Sequence, residues 1–559
     1  MRLDVDLGSE VSLGSFSGAD AILSPDGTRL VYVSQSRLFT RRLDQAKATE
    51  LTGTEGAYAP FFSPDGQWVA FFTPGELKKV PVQGGAAIAL CSAPNGMGGS
   101  WGEDGNIIAA LSGVSVLLRI PAAGGAPTPV TELAQGEIAH RWPQVLPGGR
   151  AVLFTASTSA IALDGANVEV MELGDRRRKT LQRGGIYGRY MPSGHLVYLA
   201  NGALFAVPFD LNRLEVRGTP APVLGEVAYN SVYGSAEFDF SRTGTLAYRS
   251  GGAGSGLLTV QWLDGTGKTQ PLLSRSGAYV APRLSPDRNR LALTSAGDIL
   301  VYDWRRDTMT PLTSGGAHSN PLWSPDGRYI AFQAAGGMFW TRSDGASKPQ
   351  PMTESKNLQF PWSFTADGKR LAFFEANPES GNDLWTVSLE SDGGGLRARK
   401  PEVLLQTSFD ERHPSFSPDG RWLAYSSNES GIFQVYVRAI PGSARGAGSK
   451  WQISNGGGVY PVWSHNGREL FFRTMDSQIM VAAYVGKGDT FQAAKPRVWS
   501  EKRLANIGFS SNYDVASDGQ RIAALVPAEG PEEQKAQNHV IFLLNFFDEL
   551  RRRVPAGGK

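Results

Sequence analysis

The sequence predicts an all-β protein of tandem β-propellers: twelve four-stranded blades, grouped as two six-bladed rings, with a short C-terminal helix. Three observations predict it. A Ser-Pro-Asp-Gly phrase recurs along the chain at blade-length intervals. Each copy is followed by short apolar strands of period two. Glycine is abundant, 67 of 559 residues, without a collagen period, as many tight turns require.

Clear copies of the phrase are Ser24-Pro25-Asp26-Gly27, Ser63 to Gly66, Ser324 to Gly327 and Ser417 to Gly420. With the degenerate copies, the turn-closing residue falls at 27, 66, 105, 149, 194, 244, 289, 327, 368, 420, 467 and 519, a spacing of 38 to 52 residues. Pro presets φ for the first turn position, Asp bonds back to nearby amides, and Gly takes φ > 0 without a Cβ clash. At one turn Asn289 is read as the substitute for Gly. An alternating strand follows each turn, as in Leu30-Val31-Tyr32-Val33 and Trp422-Leu423-Ala424-Tyr425. Third and fourth strands complete the WD40-like unit, as in Ile299 to Trp304 and Met309 to Thr313.

Two rings of six bury more surface than one ring of twelve. The cut is placed in the Gly-rich run 250–256, giving a first propeller at 1–254, a second at 255–548, and a helix end with basic tail at 549–559. If that run is only a long hairpin loop, a seven-plus-five split is the alternative. The N-terminal strand Leu3 to Leu7 is expected to pair with Val540 to Leu544 in the last blade, which would otherwise be a bare edge. Asn545 to Arg553 reads as a helix, with apolar Phe546, Phe547 and Leu550 and basic residues at its end.

Composition narrows the function classes. A formal net charge of +2 steers the chain towards neither nucleic acid nor an anionic membrane. Arg176-Arg177-Arg178 and Arg551-Arg552-Arg553 read as a solvated turn and tail. One cysteine, Cys91, allows no intrachain disulfide and reads as a small buried filler. Met1 to Asp6 alternates like a strand rather than a leader, and no apolar run is long enough to cross a bilayer. The chain reads as soluble, without membrane insertion.

The phrase resembles the TolB-type propeller repeat. The chain is similar in particular to the propeller region that follows the transmembrane helix in many bacterial membrane-bound serine/threonine kinases. The stretches that carry this are His140 to Gly149, Leu204 to Asp210, Gly244 to Tyr248, Phe416 to Tyr425, Tyr436 to Arg438, Gly467 to Arg473 and Asn545 to Leu550. The resemblance implies a sensor-like platform that binds a protein or small-molecule ligand, an extracytoplasmic bacterial setting, and a kinase fused or partnered in relatives. The kinase half is missing here: there is no Gly-rich loop with its lysine, no His-Arg-Asp and no Asp-Phe-Gly.

Sites on propellers lie at channel mouths, on loops leading into the innermost strands. Nine residues before the turn-closing position the sequence carries His140, His318, Gln359 and Glu411. Seven before, it carries Asp20, Trp142, Tyr187, Glu237, Asn320, Pro361, His413, Tyr460 and Asn512. With Arg141, and apart from Asp20 and Pro361, these supply the candidate binding residues. His318, Glu411 and His413 could converge on a divalent metal, two imidazoles and a carboxylate leaving a position open for water. His195 and His465 lie in turn phrases and read as surface residues. Asp410, Glu411 and Arg412 read as a local ion cluster. The turn aspartates lack the ligand alternation of calcium loops and read as structural. No His-Glu-x-x-His, cysteine pair or Walker loop is present. The leading expectation is a non-enzymatic binding platform. The alternative is a metal-assisted hydrolase of esters, phosphoesters or glycosides at a channel mouth, and the third is a structural assembly module.

Overall fold

The structure is a computed structural model. It describes the chain apart from residues 9, 12, 14–17, 159–162, 201, 231–232, 252–257, 316–317, 378–380, 392–394, 441–448, 476, 488–489, 506, 508–509, 528–537 and 556–559. The expected cut at 254/255 therefore lies outside the described residues. The chain forms two compact units. The first comprises Met1–Gly256 with Glu529–Lys559, and the second Leu257–Ala528.

The first unit contains six four- or five-stranded antiparallel sheets. Their innermost strands are Ala21–Leu23, Tyr58–Phe62, Gly99–Trp101, Ala139–Val145, Ile186–Met191 and Phe238–Phe240. Each innermost strand is an edge of its sheet, and later strands step outward in chain order in the first five. The sixth sheet differs. Phe238–Phe240 and Leu246–Tyr248 are followed by His539–Leu543 and then Arg2–Asp6. Val5 sits opposite Val540 and Asp4 opposite Ile541, so the expected pairing of the two chain ends occurs. It occurs, however, in the first unit, whereas 255–548 was expected to lie wholly in the second. The reason is edge protection: Leu246–Tyr248 pairs with His539–Leu543 and needs that strand to cover its backbone. Innermost strands of successive sheets pack on one another, and Phe238–Phe240 packs back on Ala21–Leu23. The six sheets thus close on themselves.

The second unit repeats the plan. Its innermost strands are Tyr279–Leu284, Ser319–Trp323, Gln359–Phe364, Glu411–Phe416, Val459–Trp463 and Tyr513–Val515. The last sheet takes Arg521–Pro527 from the end of the unit and Leu258–Asp264 and Thr269–Gly277 from its beginning. Tyr279–Leu284 packs on Tyr513–Val515 and closes this set as well. Apolar side chains fill the spaces between sheets, such as Val31, Val69, Phe71 and Val80 in the first unit and Trp422, Val435, Leu470 and Phe472 in the second. The fold is a β-propeller architecture.

The recurring phrase works as a small relay. In the first copy Ser24 Oγ donates to Asp26 Oδ1 at 2.5 Å, Thr28 N–H donates to the same oxygen at 3.1 Å, and Arg29 N–H donates to Ser24 Oγ at 3.0 Å. The same bonds recur at Ser63-Asp65, Ser285-Asp287, Ser324-Asp326, Thr365-Asp367 and Ser417-Asp419, which confines these aspartates to structure. One turn corrects the sequence reading. Arg288, not Asn289, takes the left-handed position, at φ 61°, and its N–H bonds Ser285 O as Gly27 N–H bonds Ser24 O. The turn geometry follows from the Ser-Asp spacing, so Arg is forced into a conformation that costs about 1–2 kcal/mol.

The C-terminal helix spans Phe546–Arg553 and buries Phe546, Phe547 and Leu550. His195, expected at the surface, is fully buried. Its Nε2–H donates to Val554 O at 2.7 Å, tying the helix end to the fifth sheet. His465 is exposed. Cys91 is only half-buried, and burial pushes its thiol up to about 11. Arg176, Arg177 and Arg551 to Arg553 are exposed as expected, but Arg178 is held by both Glu137 and Glu169. No described helix is long and apolar enough to cross a membrane.

Deleting residues 1–7 would leave His539–Leu543 with a bare edge. The expected outcome is a lower thermal midpoint and self-association of the truncated chain, read by scanning calorimetry and size-exclusion chromatography. Unchanged values would show that the N-terminal strand is dispensable.

Candidate functional site

The position seven residues before the turn proves special for a backbone reason. Ala59, Trp142, Tyr187, Ala281, Asn320, His413 and Tyr460 all occupy it, and all have φ between 46° and 59°. Strand pairing slips there, between Tyr58 and Phe61, Arg141 and Gln144, Ile186 and Arg189, Val280 and Arg283, Ser319 and Leu322, Arg412 and Ser415, and Val459 and Val462. These are β-bulges, which bend a strand and re-aim its side chains. At Pro361, whose ring forbids positive φ, the slip is smaller, from Pro361 to Ser363.

In the first unit the bulges surround a cavity of about 230 Å³, lined by residues from the innermost region of all six sheets. Trp142 and Tyr187 stand in its wall with ring centroids 5.6 Å apart. Trp142 Nε1–H donates to Tyr233 O at 2.7 Å, and burial pushes the Tyr187 hydroxyl up. His140, Arg141 and Glu237 do not line the cavity. His140 is buried between Thr131 Oγ1 (2.8 Å) and Glu137 Oε2 (3.1 Å), and burial holds its imidazole below the usual range. Arg141 is buried and donates twice to Gly113 O, at 3.2 and 2.7 Å; burial lowers it to about 10. Glu237 accepts Asp20 N–H at 2.9 Å and lies 3.9 Å from Arg249, which binds Asp20 at 2.8 Å. Burial, then the Asp20 carboxylate, pushes Glu237 well above the carboxylate range.

In the second unit the proposed metal ligands do not assemble. Among the described residues no three His, Cys, Asp or Glu side chains could hold a metal ion. His318 Nδ1 pairs with Asp298 Oδ1 at 3.2 Å and its ring packs on Phe332. The bulge turns His413 between Trp362 and Tyr460, with centroids 4.6 and 4.2 Å away. Its Nδ1 lies 3.2 Å from Ser426 Oγ. Burial, with Arg412, Arg473 and Arg283 nearby, holds it well below the histidine range. Glu411 Oε1 accepts from Thr407 Oγ1 (2.7 Å) and Ser427 Oγ (3.2 Å). Burial raises its carboxyl to about 7. Arg412 pairs with Asp410, while Glu411 bonds the hydroxyls of Thr407 and Ser427. Gln359 bridges Thr353 and Glu375. Asn512 Nδ2–H donates to Ala505 O at 2.8 Å, and Asn320 serves as a bulge apex.

The column five residues before the turn was overlooked, and it carries two charged residues of the cavity, with Arg242 as a further one. In the first unit it reads Ile22, Phe61, Ser100, Gln144, Arg189 and Asp239, all lining residues. Arg189 lies 3.9 Å above the Tyr187 ring and spends Nη1 on Trp142 O and Gly188 O, each at 2.9 Å. Asp239 Oδ2 accepts Leu23 N–H at 2.8 Å. Asp239 is partly open to solvent through the cavity yet enclosed by protein, and burial raises it to about 6. A second overlooked signal is Gly98-Gly99-Ser100-Trp101-Gly102, which has the Gly-x-Ser-x-Gly spacing of a hydrolase nucleophile. That motif needs a strand–turn–helix elbow. Ser100 instead lies mid-strand in Gly99–Trp101, with Oγ accepting Val145 N–H at 2.9 Å.

No family model matches the chain. It is similar to the uncharacterized peptidase YuxL of Bacillus subtilis (strain 168), 25% identical over 26% of this chain and 29% of that protein. It therefore spans under a third of that relative. It is also similar to the uncharacterized protein Atu1656 of Agrobacterium fabrum (strain C58 / ATCC 33970), 25% identical over 36% of this chain and 67% of that one. Solved structures that resemble it include TolB from Acinetobacter baumannii, with TM-score 0.27 and 15% identity over 60% of this chain and 66% of that chain. The tricorn protease has TM-score 0.31 and 12% identity over 86% of this chain and 63% of that one.

Asp239 gives a signed pH test. Its carboxyl is raised in the fold, so ionisation disfavours the native state above about pH 6. That penalty disappears as pH falls from about 6 towards the unfolded value near 4, a gain of about 2–3 kcal/mol. Asp239→Asn keeps an oxygen for Leu23 N–H and cannot ionise. Urea unfolding at pH 7.5 and 4.5 should show the wild type gaining on the variant as pH falls; a constant difference would refute the assignment.

Proposed function

We propose that the chain is a binding platform of two six-bladed propellers, twelve blades in all, whose ligand enters the central cavity of the first unit. The observation that supports this reading is convergence. Six sheets each send innermost residues to one cavity, and those residues include the aromatic rings of Phe61, Trp101, Trp142 and Tyr187 with the charged Arg189 and Asp239. An aromatic pocket with a few polar groups is the usual form of a small-molecule site.

The resemblance to propeller regions of membrane-bound kinases supports a sensor role in an extracytoplasmic setting. The ligand is then the signal, and a kinase is fused or partnered in relatives. The hydrolase alternative has less behind it. The relative named a peptidase shares only a quarter of this chain, Ser100 lacks the elbow, and the three metal candidates bond to separate partners.

A thermal-shift survey of small metabolites against the purified chain and an Arg189→Met variant tests the platform. Some ligands should raise the wild-type midpoint and lose most of that effect on the variant, while circular dichroism confirms the same fold. Turnover of an ester, phosphoester or glycoside that is lost on Arg189→Met would overturn the reading in favour of a hydrolase. A survey in which no compound distinguishes the two proteins would also overturn it.

A further inference from the structure

We infer that the first-unit cavity takes a small organic zwitterion, an α-amino acid, its carboxylate on Arg189 and its ammonium on Asp239. This rests on the reading of that cavity as the binding site. Three observations carry it.

The first is a pair of opposite charges that do not meet. Arg189 and Asp239 stand at the same register on neighbouring sheets and line one cavity. Neither forms a contact ion pair with a described residue, although the charge of Arg189 acts on Asp239 through space. Arg189 donates to backbone carbonyls through Nη1 and lies against Tyr187, and Asp239 accepts backbone N–H groups of Leu23 and Phe240. In the second unit the corresponding register holds Arg283 and Asp514, also on neighbouring sheets, and there the two approach to 3.9 Å. Both units thus place these residue types at this level, but only the second lets them pair. Charges set in a protein cavity without a partner mark a functional site, and a ligand that supplies both counter-charges is a zwitterion.

The second is the chemistry left available. Arg189 spends Nη1, not Nε or Nη2, on backbone carbonyls, and Nε with Nη2 is the edge of the guanidinium fork that binds a carboxylate in two places. Asp239 Oδ1 has no side-chain partner and suits an ammonium, which aromatic faces also attract. The third is size and wall. About 230 Å³ lies below the usual range for drug-sized ligands, so the body of the ligand is small, with the rings of Phe61, Trp101, Trp142 and Phe240 among the residues that line it.

Isothermal titration of the intact chain tests this with L-phenylalanine, L-leucine, L-phenylalaninamide and N-acetyl-L-phenylalanine. At least one of the two free amino acids should bind. Phenylalaninamide, without the carboxylate, and the N-acetyl compound, without the ammonium, should each bind at least tenfold more weakly than phenylalanine. Arg189→Met should erase the preference over the amide, and Asp239→Asn the preference over the N-acetyl compound. Arg189→Lys should restore part of the first preference. Affinity of the wild type should fall from pH 7.5 to 5, and that of Asp239→Asn should not. If neither amino acid binds, while the metabolite survey still finds ligands lost on Arg189→Met, the zwitterion class is wrong and the binding platform stands. If the survey also finds none, both fall. Equal binding of all four probes, or binding insensitive to both variants, overturns the proposal as well.

Discussion

Every innermost strand in this protein is an edge strand, and edge strands carry backbone groups that must bond to something. Much of the architecture answers that constraint. Part of the solution is the bulge that precedes many of the turns by seven residues. At Trp142 and Ala281 the bulged N–H reaches a carbonyl of the preceding sheet, Met97 O at 2.8 Å and Ser511 O at 3.0 Å. The other part is a latch three residues later. There the backbone N–H of one sheet bonds the side chain five before the turn in the sheet that precedes it. Val145 N–H bonds Ser100 Oγ, Tyr190 N–H bonds Gln144 Oε1, and Phe416 N–H bonds Ser363 Oγ. Sheets are therefore joined by directed bonds as well as by apolar packing.

The latch is strongest where closure is hardest. Two joints connect sheets far apart in the chain, the sixth to the first and the twelfth to the seventh. Both use a carboxylate: Leu23 N–H donates to Asp239 and Leu284 N–H to Asp514, each at 2.8 Å. A charged acceptor makes a stronger bond than a neutral one, and loop-closure entropy is greatest across these long separations. The cost is burial of two carboxyls, and both are raised by it. In the first unit the joint also needs strands from both chain ends, since Arg2–Asp6 and His539–Leu543 complete the sheet that carries Asp239.

The turn phrase made the fold legible, because Ser, Asp and Gly each have a local job that survives without knowledge of distant contacts. The helix at 546–553 was legible from its apolar side chains for the same reason. The pairing of His539–Leu543 with the N-terminal strand was legible, but its membership of the first unit was not, because its other neighbour, Leu246–Tyr248, is distant in the chain and carries no local sign of that partner. The register seven before the turn was chosen from loop position and found Trp142, Tyr187, His413 and Tyr460, but its meaning lay in backbone dihedrals. His413 looked like a ligand because histidine is scarce here. Its bulge instead drives it into an aromatic stack, where desolvation suppresses the protonated form. Arg189 and Asp239 lie within the strands, beyond the loop positions that the spacing singled out; the Arg189 strand is bulged there and the Asp239 strand is not.

The two units show how one register can be spent in two ways. In the second, Arg283 and Asp514 approach each other, and Arg283 covers Trp362 at 4.9 Å while Arg473 covers Tyr460 at 4.7 Å. Charge and aromatic surface there satisfy one another. In the first, Arg189 stacks on Tyr187 and forms no contact ion pair with Asp239. Taking an ion out of water without a partner costs several kcal/mol, so a fold that had only stability to satisfy would adopt the paired arrangement that its own second unit demonstrates. The unpaired arrangement places the first unit's cost at its cavity, where an incoming ligand can recover it.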